Sequence, residues 1–507
     1  MANPTVETLS RDLNTEMGVK ELHYVSSPQW RCWPRVLLVV LCSASDVLAA
    51  PPVDQGLEPV VVNTSPGEKY AGNTRPFQGI PSVAVTSGGR LWAVWFGGGP
   101  GENNENYVLA VTSDDHGRTW SDEVLVLDPQ GNSRAFDPSI WVDPRGRLWV
   151  FWGQSYNWYD GRAGVWAITT DDPESAHPTW SAPKRLCHGV MLNEPRVLST
   201  GEWVLPVAQW SPAMKKQFRY HPGVSKDRYL SNMFVSTDEG INWTWRGGAD
   251  VPERGHDEHH IVEKRDGSLW MLVRTKYGIG QSHSIDRGRT WSAGTPSGIE
   301  NPTARFYLGR LKSGRLLLVK NGPIDKRILR KQMTAYLSDD DGESWSSGLV
   351  LDARDEVSYP DAAQDADGRI FVIYDRSRYM QMEILAASFT EEDVLAGRLV
   401  SKDSTFSMMV NKATGPPTPV VLSPAGGDFQ NKVSVKVTYP IHGPALYYTL
   451  DGTTPTRESN RYTQEVPLSR SSVFKAKAIG GPGGQHQSPV AEAKFVIDVN
   501  SENAEGK

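Results

Sequence analysis

Carboxylates, guanidinium groups and a tyrosine recur along this 507-residue chain in one setting, just ahead of a short apolar strand. The members are Arg75 with Gln78, Asp137, Asn193 with Glu194 and Arg196, Asp257 with Glu258, Arg305, and Tyr359 with Asp361. Carboxyl groups protonate a leaving oxygen or stabilise an oxocarbenium-like charge, and guanidinium groups hold an anionic sugar through charge-assisted hydrogen bonds. Singly, each is equally a strand-end residue satisfied by a local hydrogen bond. The set acquires chemical meaning only if the fold brings its members together.

The elements that carry these residues are repeats. The pattern S-x-D-x-G-x-x-W runs from Ser113 to Trp120, from Ser284 to Trp291 and from Ser338 to Trp345, with a looser copy from Ser236 to Trp243 and a degenerate one ending at Trp180. Ser and Asp oxygens cap turn N–H groups, Gly supplies a positive φ, and Trp fills the space beneath. Such a motif staples a hairpin, and its Asp residues are structural. A second repeat, a turn followed by an apolar strand, begins at Gly89, Gly146, Gly201, Gly267, Gly314 and Gly368. Six such units predict an all-β, six-bladed β-propeller with four strands per blade, closed by a strand around Val60 to Val62. In that architecture the leading residues of the inner strands converge on the axis, where one polar residue per blade builds a pocket. Helical periodicity is nearly absent, a turn or two from Glu391 to Ala396 excepted.

Composition agrees. Forty-seven Gly and 35 Pro suit a turn-rich β protein, and 18 Trp serve blade packing and sugar platforms alike. A net charge of −6 without a basic stripe argues against a nucleic-acid partner, and no stretch is apolar enough for a membrane span. Cofactors and metals are not called for, Cys187 has no metal-ligand spacing, and a monomer is expected.

The expected organisation has five parts. Residues 1–50 read as an amino-terminal extension and signal peptide, with Arg31 and Arg35 ahead of the apolar run Val36 to Leu41 and a cleavage site near Ala49. That predicts a secreted or periplasmic protein, from which Cys32 and Cys42 leave with the leader. Residues 51–413 form the propeller, 414–419 a Pro-rich linker, 420–498 a small sandwich of alternating strands, and 499–507 a disordered tail. The sandwich carries no catalytic constellation and is expected to be dispensable for catalysis. Its segment Tyr447 to Thr456, with Ser459 and Tyr462, resembles the immunoglobulin-like module at the carboxyl end of chitobiases and β-hexosaminidases.

Across Val60 to Phe389 the chain resembles the sialidase (neuraminidase) superfamily of Asp-box, or BNR-repeat, proteins. Glu258 to Arg274 is similar to that family's glutamate-strand-turn-strand-arginine unit, Arg330 to Ser338 to the stretch bearing a carboxylate-binding arginine, and Ser358-Tyr359-Pro360-Asp361 to the segment holding its nucleophilic tyrosine. The resemblance implies Tyr359 as nucleophile, Glu258 as its base, and Arg274 and Arg330 as substrate-carboxylate ligands. A tyrosine, whose pKa is ordinarily near 10, needs that base, and a neutral nucleophile suits an anomeric carbon bearing a carboxylate. The family's first-blade Phe-Arg-Ile-Pro motif is here Phe77-Gln78-Gly79-Ile80-Pro81, with Arg75 nearby to replace the missing guanidinium. The glycine-rich loop from Gly97 to Asn106 offers Glu102 or Glu105 as general acid. Asp137, Glu194, Arg305 and Asp361 are expected to complete the substrate contacts. The resulting expectation is an exo-acting glycoside hydrolase that releases a terminal acidic sugar with retention. Two alternatives stay open: a glycosidase of this fold for another polysaccharide sugar, and a non-catalytic carbohydrate-binding propeller.

Overall fold

The computed structural model describes residues 55–212, 218–441, 444–480 and 486–498. The expected leader, with Cys32 and Cys42, and the expected tail lie outside the described residues. Six antiparallel sheets follow one another along the chain. Their leading strands are Gln78–Val85, Ser133–Val142, Arg196–Val197, His260–Glu263, Tyr307–Arg310 and Val357–Gln364. Five of the sheets have four strands in sequence order. The first has a fifth, Val62–Asn63, paired outside Leu125–Leu127. This corrects the expected closing strand: the sixth sheet already owns its fourth strand, Thr405–Lys412 on Glu383–Phe389, so none is left for Val62 to complete. The one α-helix among the described residues, Glu391–Ala396, falls where the sequence places it.

Second strands such as Leu91–Gly97, Trp203–Ala208 and Leu269–Arg274 are apolar at nearly every position and buried throughout. A strand covered on one face alternates; these are covered on both, because each sheet packs face to face with two neighbours. Successive sheets share cores: Phe151 with Leu205, Val235 with Met271, Leu272 with Leu318, and Val319 with Val372. The sixth sheet also shares one with the first, through Phe371 and Ile373 against Val83 and Trp95.

The staples form as their residue types dictate. In one, the Asp286 carboxylate accepts from the Thr290 N–H at 2.9 Å, the Thr290 hydroxyl at 2.6 Å and the Ser284 hydroxyl at 2.8 Å, while the Ser284 oxygen accepts from the Gly288 N–H. The Trp291 indole closes the turn on the Gly288 carbonyl at 3.1 Å. Asp115, Asp238 and Asp340 repeat the arrangement.

Beyond the sixth sheet, Thr414 and Gly415 donate to the Gly72 and Arg75 carbonyls, tying the connecting segment to the start of the first sheet. Residues 421–498 then form a sandwich. Its three-stranded sheet packs on the sheet of Gly427–Gln430, Ala491–Asp498, Ser472–Gly480, Ala445–Thr449 and Asn460–Arg461, around Val435, Phe474 and Phe495.

One irregularity positions the site. Pairing of the leading strand with its neighbour slips between Gly79 and Ser82, between Phe136 and Ser139, and between Ser358 and Asp361. Inside these bulges Ile80, Asp137 and Tyr359 have φ of 62°, 47° and 55°, and ahead of the fourth sheet Glu258 has φ of 43°. Left-handed backbone at four non-glycine residues, one of them β-branched, costs on the order of 1–3 kcal/mol each and persists only where surrounding structure enforces it. A bulge re-aims its side chain, and these are re-aimed into a common space.

Candidate active site

A cavity of about 720 Å³ is lined by Tyr359, Glu258, Arg274, Arg330, Asp137 and Glu102, together with Arg134, Arg378, Trp158, Trp210 and His256. At its floor the Tyr359 hydroxyl donates to Oε1 of Glu258 at 2.8 Å and accepts from Nη1 of Arg274 at 2.6 Å. Arg274 also donates to the same Glu258 oxygen. Oε2 of Glu258 and Nε of Arg274 are buried without a hydrogen-bond partner among the described residues. Burial raises the Tyr359 pKa above its ordinary 10, with Arg274 pulling it down and Glu258 pushing it up. The phenol therefore keeps its proton until a base removes it, and Glu258 is within reach to do so.

Guanidinium groups surround the tyrosine ring. The central carbons of Arg274, Arg330 and Arg378 lie 5.9, 5.2 and 3.9 Å from its centre. Among the described residues Arg330 is otherwise held by one side-chain bond, from Nη2 to the Thr303 carbonyl at 3.0 Å, and burial pulls its pKa down. Arg378 is anchored through Nε on the fully buried Asp375 at 2.7 Å, which also accepts from the Ile80 N–H and the Ser358 hydroxyl. Burial opposes the Arg378 charge, but Asp375, Tyr359 and Glu102 outweigh it and hold the pKa above its ordinary value.

Across the cavity, burial and then the charges of Glu102 and Glu258 push the Asp137 carboxyl up to about 7. Glu102 faces inward because its loop is pinned: the Asn106 amide donates to the Gly98 and Gly101 carbonyls, both at 2.7 Å. Glu105, on the same loop, is exposed and does not line the cavity. Trp158 and Trp210 add aromatic faces to the cavity lining, and Arg134 stacks at 4.0 Å over Phe136, the residue before Asp137.

Four expected substrate ligands do not reach the cavity. Arg75 is fully buried on the outer side of the first sheet, paired with Glu123 at 2.8 Å and bonded to Asn411, because its stem starts before the strand enters the bulge. Arg305 and Asp361, both fully buried, pair at 2.8 Å beneath the cavity. Arg305 further donates to Asn193 and to the Pro81 and Leu192 carbonyls, tying leading strands together. Glu194 is occupied by Arg196, with burial pushing its carboxyl up to about 7.

Sequence reasoning missed Arg378, Arg134 and the aromatic faces. Arg378 follows the second strand of its sheet instead of preceding the leading one. Ile441 and Pro444 of the sandwich also line the cavity. A Cβ built on Gly101 would lie 3.2 Å from Ile441 and the same distance from Tyr379, so the module expected to be dispensable contributes a wall beside the Glu102 loop.

The chain belongs to the sialidase (neuraminidase) superfamily: residues 89–372, more than half of it, match the BNR repeat-like domain family. Residues 424–491 match the chitobiase/beta-hexosaminidase C-terminal domain. A sialidase of Micromonospora viridifaciens is 26% identical over 486 residues, covering 86% of this chain and 73% of that protein. A sialidase of Paraclostridium sordellii is 24% identical over 305 residues, covering 52% and 71%. The solved structure of the Hadza microbial sialidase Hz136 superposes with a TM-score of 0.51 at 18% identity, over 63% of this chain and 66% of that one. That likeness carries the fold alone, an all-β architecture related to the sialidase-like propeller. The relatives named are all sialidases, which supports a glycoside hydrolase of this superfamily acting on glycans.

Proposed function

We propose that the chain is an exo-acting, retaining glycosidase that releases a terminal acidic sugar, with Tyr359 as nucleophile on the floor of a closed six-bladed propeller. The shared core of the first and sixth sheets supports the closed ring. The observation that carries the chemistry is the Tyr359 hydroxyl bonded at once to the Glu258 carboxylate and the Arg274 guanidinium.

Glu258 takes the phenolic proton as the Tyr359 oxygen bonds to the anomeric carbon, and the glycosidic C–O bond breaks. Arg274 balances the phenolate that develops. The leaving oxygen receives a proton from Asp137, which burial keeps protonated close to neutrality, in place of the Glu102 or Glu105 expected from the sequence. Asp137, now charged, removes a proton from water, which attacks the anomeric carbon as the Tyr359 oxygen–carbon bond breaks, and Glu258 hands its proton back to the departing phenolate. The guanidinium groups around the ring favour a sugar carrying a carboxylate at that carbon, where an anionic nucleophile would be repelled.

The test is a hydrolysis screen with chromogenic sialoside, glucuronide and rhamnoside, followed by nuclear magnetic resonance of the first-formed anomer. Turnover of an acidic glycoside with retention is expected, and Tyr359→Phe reduces it by ~10³-fold or more, about 4 kcal/mol of barrier, with ligand binding kept. Inversion, or a Tyr359→Phe variant with near-native turnover, removes the mechanism.

A further inference from the structure

We propose that Arg378 is a specificity-determining residue of this site, a guanidinium from the sixth sheet that grips the substrate carboxylate and is admitted by Gly79 of the first. The inference rests on the reading of the cavity as a site for an acidic sugar. It goes further by naming the group that discriminates the acid and the residue that makes room for it.

Gly79 sits on the leading strand of the first sheet at the edge of its bulge. A Cβ built there would lie 2.6 Å from both Cγ and Cδ of Arg378 and 2.8 Å from its Nε. No real Cβ tolerates such distances, so the Arg378 stem occupies the volume that any side chain at residue 79 would need. The contact falls on the middle of the arginine, the part fixed by the Nε bond to Asp375, so the stem cannot swing aside cheaply.

Anchored by Nε, Arg378 is left with its outer nitrogens for other work. Nη2 is buried without a hydrogen-bond partner among the described residues. Among the described residues, Nη1 has only Glu102, at 3.8 Å. Its central carbon lies 3.9 Å from the Tyr359 ring centre, closer than that of Arg274 or Arg330. A buried cation with an unused N–H beside the proposed nucleophile is expensive to maintain unless an anion arrives to use it. A carboxylate on the reacting carbon is such an anion, and the planar guanidinium fork fits its two oxygens.

Calorimetry with free sialic acid and its methyl ester tests the proposal. The native protein is expected to prefer the acid, and Arg378→Ala to weaken acid binding by ~10–100-fold while leaving the ester nearly unchanged. Arg378→Lys keeps charge without the fork and should recover only part of the loss. Gly79→Ala keeps every ionisable group but pushes the Arg378 stem off its Asp375 anchor, so it too should cost the acid more than the ester, and native-like ester binding in both variants guards against a folding artefact. A native protein indifferent to esterification, or Arg378→Ala and Gly79→Ala variants that discriminate as the native protein does, overturns the proposal. Loss of discrimination in both, alongside a Tyr359→Phe variant that still turns over, would keep Arg378 in this role and refute the tyrosine mechanism instead.

Discussion

Replacing Asp137 by Asn separates the cost of this site from its use. The native carboxyl titrates at about 7 against an ordinary 3.8, because burial and the charges of Glu102 and Glu258 disfavour its anion. A raised carboxyl pKa lowers stability as pH rises. Below 3.8 both folded and unfolded forms carry the proton and the group is neutral in the balance. Between 3.8 and about 7 the unfolded chain releases the proton and the native one does not, so stability falls with pH until the native carboxyl also ionises. The rise of about three pH units, at about 1.4 kcal/mol each, sets an upper bound of about 4 kcal/mol. The neutral amide has nearly the same shape and is well tolerated at the φ of 47° found here. Asp137→Asn is therefore expected to be more stable than the native protein by up to about 4 kcal/mol at pH 8 and equal to it near pH 3.5, measured by denaturant titration at both. Glu194, also pushed to about 7, is present in both proteins and cancels. In the same variant, kcat on an alkyl glycoside should fall by ~10²–10⁴-fold, with a much smaller loss on an activated aryl glycoside that needs no protonation. The native decline of that rate above pH 7 should vanish. A stability gain independent of pH, or none at pH 8, refutes the buried-proton argument; an equal loss on both substrates refutes Asp137 as acid.

Ile441→Asp places a charge on the seat that the sandwich provides for Gly101, and kcat/KM on a small soluble glycoside should drop by ~10-fold or more as the Glu102 loop loses its wall; unchanged kinetics would mean the module is catalytically idle. Asp286→Ala removes the acceptor for the Thr290 N–H, the Thr290 hydroxyl and the Ser284 hydroxyl, so the denaturation free energy should fall by ~1–3 kcal/mol with kcat unaltered, because the staple lies outside the cavity. Burial pushes the Cys187 thiol up to about 12. Alkylation by a thiol reagent should thus be slow in the native protein and become rapid across the unfolding transition.

The staples and apolar strands were legible because each is a local pattern with a local cause: Asp286, Ser284 and Gly288 close their turn without help from the rest of the chain. Glu258, Arg274 and Tyr359 were legible by resemblance, as residues at a familiar spacing. Arg378 was not, since its part depends on a vacancy at residue 79, some three hundred positions earlier, and only the fold joins them. The third sheet was misread for a related reason. Glu194 precedes a proline as Asp137 and Tyr359 do, yet Arg196 lies two residues on and captures it.

The leading strands explain why residues two apart were wrongly grouped. In the sequence Tyr359 and Asp361 look equivalent, both polar and both ahead of an apolar strand. The bulge separates them into layers. Ile80, Asp137 and Tyr359, each directly before a proline and each left-handed, line the cavity. Ser82, Ser139 and Asp361, two residues later, are fully buried beneath it, where Asp361 accepts from the Ser82 hydroxyl, the Val83 N–H and Arg305. The lower layer is the tie-rod of the assembly: Arg305 alone bridges to carbonyls or carboxylates of the first and sixth sheets and the approach to the third. Breaking such a buried pair costs about 3–5 kcal/mol, enough to hold several strained bulges above it. The polar residues that the sequence offers as a single ring thus do two jobs, and those that never touch substrate keep the tyrosine, the acid and the first-sheet glycine where the chemistry needs them.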